Sequence, residues 1–128
     1  MIRTGALLAA ALVLTGSAVR AQTYPSRQIT LIIPFAAGGS NDLVGRAIGK
    51  KLTEAWGQPV IVENRAGAGG MIGTSAVAAA PPDGYTLLLV SSTFTINPAI
   101  KKSMPFDTIR DFTPVAFRSC SPRRTIYR

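Results

Sequence analysis

The 128-residue sequence predicts an α/β fold, with an open, mostly parallel sheet and flanking helices. Three observations carry that expectation. The runs QITLIIP (28–34) and YTLLLVS (85–91) are continuous and apolar, as in strands covered on both faces. The segments between them carry helical spacing or helix-forming small residues. The resulting order, strand-helix-strand-helix-strand, becomes a parallel sheet through right-handed crossovers.

Each element has its own justification. The opening MIRTGALLAAALVLTGSAVRAQ has Arg3 as a charged start and an apolar stretch from Gly5 to Leu14. Val19-Arg20-Ala21 precedes a cleavage point after Ala21. This is the pattern of a secretory signal peptide over residues 1–21, because the apolar core is too short to span a bilayer. A mature chain beginning at Gln22 is the expectation, checked by mass spectrometry of exported material. Gln28 to Pro34 forms the first strand. Leu43 to Trp56 forms a helix with apolar residues at 43, 44, 47, 48, 52, 55 and 56, leaving Arg46, Lys50, Lys51 and Glu54 to solvent. Gly57 and Pro59 stop it. Val60 to Glu63 is a second strand, Gly67 to Gly70 a flexible turn, and Met71 to Ala80 a helix of small residues. Pro81-Pro82-Asp83-Gly84 makes a turn before the third strand, and Phe94 to Lys102 a short last helix.

Composition excludes several functions. The net charge of +8 suggests a polyanion partner, yet Arg3 and Arg20 lie in the leader, and Arg118, Arg123, Arg124 and Arg128 lie in the tail. Between Gln22 and Phe117, eight basic residues face six acidic ones, and no aromatic platforms interleave with them. Nucleic acid is therefore not an expected partner. With no histidine and a single cysteine, Cys120, the chain offers neither a Ser-His-Asp or Cys-His pairing nor a plausible zinc ligand set. No G-x-S-x-G elbow is present. The expectation is a non-enzyme without cofactor or metal, and no direct membrane insertion after leader removal.

Ligands of open parallel sheets bind beyond the carboxyl ends of the strands, which directs attention to three loops. The first, Phe35-Ala36-Ala37-Gly38-Gly39-Ser40-Asn41-Asp42, enters a helix whose unpaired N–H groups favour an anion. Gly38 and Gly39 allow close backbone approach, Ser40 or Asn41 would cap the helix, and Asp42 in the first turn suits the dipole. A plain strand-to-helix turn explains the same residues equally well. The second loop, Asn64 to Gly73, is a poor dinucleotide fingerprint, since Ile72 stands where G-x-G-x-x-G needs glycine, and it reads as a tight turn into a closely packed helix. The third, Ser91 to Pro98, clusters hydroxyls from Ser91, Ser92, Thr93 and Thr95, suited either to a carboxylate or to a turn and helix cap with a break at Asn97-Pro98.

The runs YPSRQITLIIPFAAGGSNDLVGRAI, GQPVIVENRAGAGGMIG, APPDGYTLLL and INPAI…FDTIRDFTPVA, in this order and spacing, resemble the start of a mature solute receptor of the tripartite tricarboxylate transporter type, the Bug family. The resemblance covers Tyr24 to about Phe117. It implies that residues 22–117 form part of the first lobe of a two-lobed periplasmic binding protein. Such a protein delivers a small carboxylate to membrane transporter subunits. The residues matching the family's ligand loops are Phe35, Ala36, Gly38, Gly39, Ser40 and Asp42, with Ser91, Ser92 and Thr93 in the second loop. Family members are longer, and RSCSPRRTIYR (118–128) departs from their pattern. Its composition is that of a shifted reading frame in a GC-rich gene, so a truncated or frameshifted product with a disordered tail is also an expectation. The competing reading is an exported interaction module with no ligand.

Overall fold

The computed structural model describes residues 23–116. The expected leader (1–21) and tail (118–128) lie outside the described residues. Three strands, β1 (Ile29–Ile33), β2 (Val60–Asn64) and β3 (Thr86–Leu88), form one sheet in the order β2-β1-β3. Both pairings are parallel, with Ile29 opposite Val60 and Leu31 opposite Leu87. The helices are α1 (Ser40–Trp56), α2 (Met71–Ala78) and α3 (Thr93–Ile100), with a 3-10 turn at Ala68–Gly70 just before α2. The α/β expectation and the parallel sheet are both met.

The central strand is buried on both faces, as its unbroken apolar run requires. Ile29, Leu31 and Ile33 point to one face, where Ile29 and Leu31 join Val60, Leu52, Val62, Tyr85, Leu87 and Leu89 in the core. Ile32, on the alternate face, is also buried. Helix α1 packs on β1 and β2, and α2 on β1 and β3.

The face that α1 buries differs from the expected one. Its buried residues are Asp42, Gly45 and Gly49, while Leu43 is 74% exposed. The apolar spacing at 43, 44, 47 and 48 pointed to a neighbouring stripe. What decides the orientation is close approach. A Cβ on Gly45 would collide with Ile33 Cδ1, and one on Gly49 would lie 3.2 Å from Val62 Cγ2. The two glycines let the helix backbone sit directly on the strands, and larger residues are displaced to the sides.

Smaller differences have local causes. Helix α1 starts at Ser40 rather than Leu43, and its N-cap is Gly39. Gly57 ends it in the left-handed conformation (φ 66°) with its N–H on Thr53 O. The strand β3 is shorter than the apolar run around it. Pro98 lies inside α3 instead of breaking it, and Lys101 N still bonds to Asn97 O beyond it. The 67–73 segment is a tight turn against β1, as expected: Gly70 and Gly73 pack on Pro34, where a Cβ on Gly73 would come within 2.9 Å of Pro34 Cβ. Among the described residues no helix is long and apolar enough to cross a membrane.

Candidate functional site

The parallel topology places the starts of α1, α2 and α3 at one edge of the sheet, beyond the carboxyl ends of the strands. Loop 34–39 follows β1, and loop 89–92 follows the adjacent strand β3. The first and third loops singled out from sequence are therefore neighbours. Leu89 N bonds to Ile32 O (2.9 Å), so the pairing reaches to the base of both loops.

In the first loop Phe35 is half-buried, and Ala36, Ala37, Gly38, Gly39 and Ser40 are exposed. Gly38 takes φ 82°, which a side chain would strain. Gly39 is extended (φ −78°, ψ 170°) and needs no glycine on conformational grounds. The expected side-chain cap is absent: neither Ser40 nor Asn41 caps α1, because Gly39 holds the cap position and both residues already lie in the first turn. The N–H groups of that turn point outward without a side-chain acceptor.

Asp42 is placed differently from the rest of the loop. It is 5% exposed, and its carboxylate faces back into the fold. Oδ2 accepts the Gly38 N–H (2.8 Å) and Arg46 Nε (3.0 Å), and Oδ1 accepts Asn64 Nδ2 (3.0 Å). Asn64 Nδ2 also donates to Phe35 O (3.2 Å), and Asn64 Oδ1 accepts Arg46 Nη2 (3.2 Å). The Arg46 hydrogen bond, then the Gly38 N–H, and to a smaller extent Asn64 hold the Asp42 pKa down from 3.8 to about 2, against the opposing effect of burial. Asp42 braces the loop from behind, its oxygens turned to Gly38, Arg46 and Asn64. Sequence reasoning missed Arg46 and Asn64. The i, i+4 spacing of Asp42 and Arg46 was a readable signal, whereas nothing local ties Asn64 to this loop.

In the third loop the Ser91 and Thr93 hydroxyls lie 3.2 Å apart, and Ser92 is the N-cap of α3 without a side-chain cap bond. Ser92 O is taken up by Thr95 and Ile96. Asn97 Nδ2 donates to Gly69 O (3.2 Å), linking α3 to the turn before α2. Phe112 packs edge-to-face on Phe94 of α3 and on Phe106, whose two rings are parallel, and Asp107 closes a turn by accepting the Ile109 and Arg110 N–H groups. One open depression of about 310 Å³ lies beside Arg27, Asp83 and Tyr85, and another of about 550 Å³ beside Met104, Phe106 and Pro98 at the end of the third loop. Among the described residues no cluster of three or more His, Cys, Asp or Glu could hold a metal.

Comparison with known proteins supports this placement of the fold. The profile of the tripartite tricarboxylate transporter family receptors matches residues 44–126. Protein BugT of Bordetella pertussis is 47% identical over 100 residues, covering 77% of this chain and 31% of that protein. The structure of the periplasmic binding protein BugD superposes with a TM-score of 0.68 at 42% identity, over 71% of this chain and 30% of that one. MatC from Rhodopseudomonas palustris, solved with bound malate, gives a TM-score of 0.67 at 39% identity over 72% of this chain and 32% of that one. The chain spans about a third of the length of the curated relatives it matches.

Proposed function

The chain belongs to the tripartite tricarboxylate transporter receptor family, and on that premise we propose that it supplies one wall of a site for a small carboxylate. The ligand's carboxylate is received at the start of α1. Phe35, Ala36, Gly38, Gly39 and Ser40 line the approach; all but Gly38, whose N–H is already given to Asp42 Oδ2, offer backbone N–H groups. Ser91, Ser92 and Thr93 add hydroxyls from the adjacent strand end. Asp42 belongs to the site as the anchor of its loop. The observation that carries this reading is the free first turn of α1: it has no side-chain cap, and the one acid near it is turned inward.

The malate bound by MatC supports the ligand class, and the periplasmic binding proteins among the structural relatives support a periplasmic setting. The family's description supports delivery to membrane transporter subunits as the onward step. The function is binding and release, which needs donors held in place and no activated nucleophile, so the reading is of a non-enzyme.

Amide-detected NMR titration of the chain with sodium malate tests this. The N–H signals of Gly38 to Asn41, Ser92 and Thr93 are expected to shift together along one binding curve. Shifts confined to other regions, or none up to tens of millimolar, overturn the reading.

A further inference from the structure

We propose that Asn64 and Arg46 are positioning residues for this carboxylate site, acting by drawing the Asp42 carboxylate away from the helix start and neutralising it there. The proposal rests on the reading of the α1 start as the anion site. Asp42 is the third residue of α1. A carboxylate at that position ordinarily reaches back to the cap N–H and is attracted by the positive end of the helix. It would thereby occupy a donor that an incoming carboxylate needs, and repel that carboxylate as well.

In the structure Asp42 passes over the cap residue Gly39 and takes instead the N–H of Gly38, one residue earlier. The Asp42 oxygens are taken by Gly38 N, Arg46 Nε and Asn64 Nδ2. Asn64 is the last residue of β2 and pairs in register with Ile33, the last of β1. Its amide nitrogen bridges Asp42 to Phe35 O, and its amide oxygen holds Arg46 Nη2. One side chain thus ties the ends of two strands to the first turn of the helix. The loop is held in shape before any ligand arrives, which spares the ordering cost of binding. Arg46 cancels the one negative charge near the N–H groups. Among the described residues Arg46 is the one charged group set against Asp42: β1 carries no titratable group, and on β2 and just beyond it Glu63 and Arg65 pair with each other at 2.7 Å.

The test uses Asn64→Ala and the near-isosteric Asn64→Asp in the full chain, with malate as the probe. Without ligand, Asn64→Ala is expected to speed exchange of the Gly38 amide by about tenfold, the scale of one well-made hydrogen bond. Asn64→Asp sets a second carboxylate beside Asp42. Its malate affinity relative to wild type is expected to be low at neutral pH and to recover as the pH falls, once the pair shares a proton. The ratio to wild type removes malate's own titration. A merely structural role lowers that ratio equally at every pH. Arg46→Gln is expected to weaken malate binding most at low salt. Unchanged Gly38 exchange, or a pH-independent ratio, overturns the proposal. Absence of malate-induced loop shifts in the wild type removes the site reading itself, a failure distinct from normal wild-type binding with unaffected variants. If Asn64→Ala does not fold, the Asn64→Asp ratio decides.

Discussion

A single carboxylate accounts for most of what is specific about the first loop. Asp42 accepts from Gly38, Arg46 and Asn64, and these bonds favour its charged form over the protonated one. The consequence for stability follows from linkage. The folded-state pKa of about 2 lies below the ordinary 3.8, so the contribution is fully present above about pH 4 and is lost as the pH falls through 2. A series of thermal midpoints is expected to drop across that window in the wild type and to drop less in Asp42→Asn. Asp107 is also held below its ordinary pKa, by the Ile109 and Arg110 N–H groups, so it is the difference between the two proteins that isolates Asp42. At this scale the sequence showed an acid in a first helical turn and an arginine four residues on. It did not show Asn64, 22 residues away, because side-chain partners across strands are set by register rather than by spacing.

Glycines decide how the elements dock. In α1 the buried stripe runs through Gly45 and Gly49, so backbone contact with the sheet outweighs the apolar spacing beside it. In α2 Gly73 sits against rigid backbone: an added Cβ would come 2.8 Å from Arg65 O and 3.0 Å from Pro34 Cα. At Gly45 the obstacle is the end of the Ile33 side chain, which can rotate, followed by Leu89 Cδ2 at 3.2 Å. Gly73→Ala is therefore expected to cost about 1–3 kcal/mol, the usual range for forcing atoms into a packed contact. Gly45→Ala is expected to cost less, since a helix-interior alanine returns up to about 1 kcal/mol of propensity. Chemical denaturation of both variants checks the order, and a larger loss at Gly45 would show that Ile33 is unable to move. Strand positions were legible because buried parallel strands write themselves as unbroken apolar runs. The docking face of α1 was not, since a glycine stripe carries no hydropathy signal.

Across the whole molecule, the exposed N–H edge forms one open wall. Each hydrogen bond from such an exposed surface to a carboxylate largely replaces one to water. Calorimetry of this chain with malate is expected to give only weak binding, with Kd at or above about 1 mM, a standard free energy near −4 kcal/mol. Micromolar binding would show that the two loops alone form a complete site. Exposed apolar side chains, among them Leu43, Ile100, Ile109 and Val115, favour concentration-dependent association, which sedimentation at rising concentration is expected to detect. By itself the sequence determined the α/β class, the alternation of strands and helices along the chain and the loops to watch, because apolar runs, glycine turns and helix starts are local properties of the chain. Only the tertiary structure decided that Gly39 rather than Ser40 or Asn41 caps α1, that Asp42 turns inward, and that Asn64 and Arg46 hold it there. The reason is physical: hydrogen-bond partners and close approach are chosen after strands pair, when β2 and β3 come to lie on either side of β1 and bring distant residues to one edge.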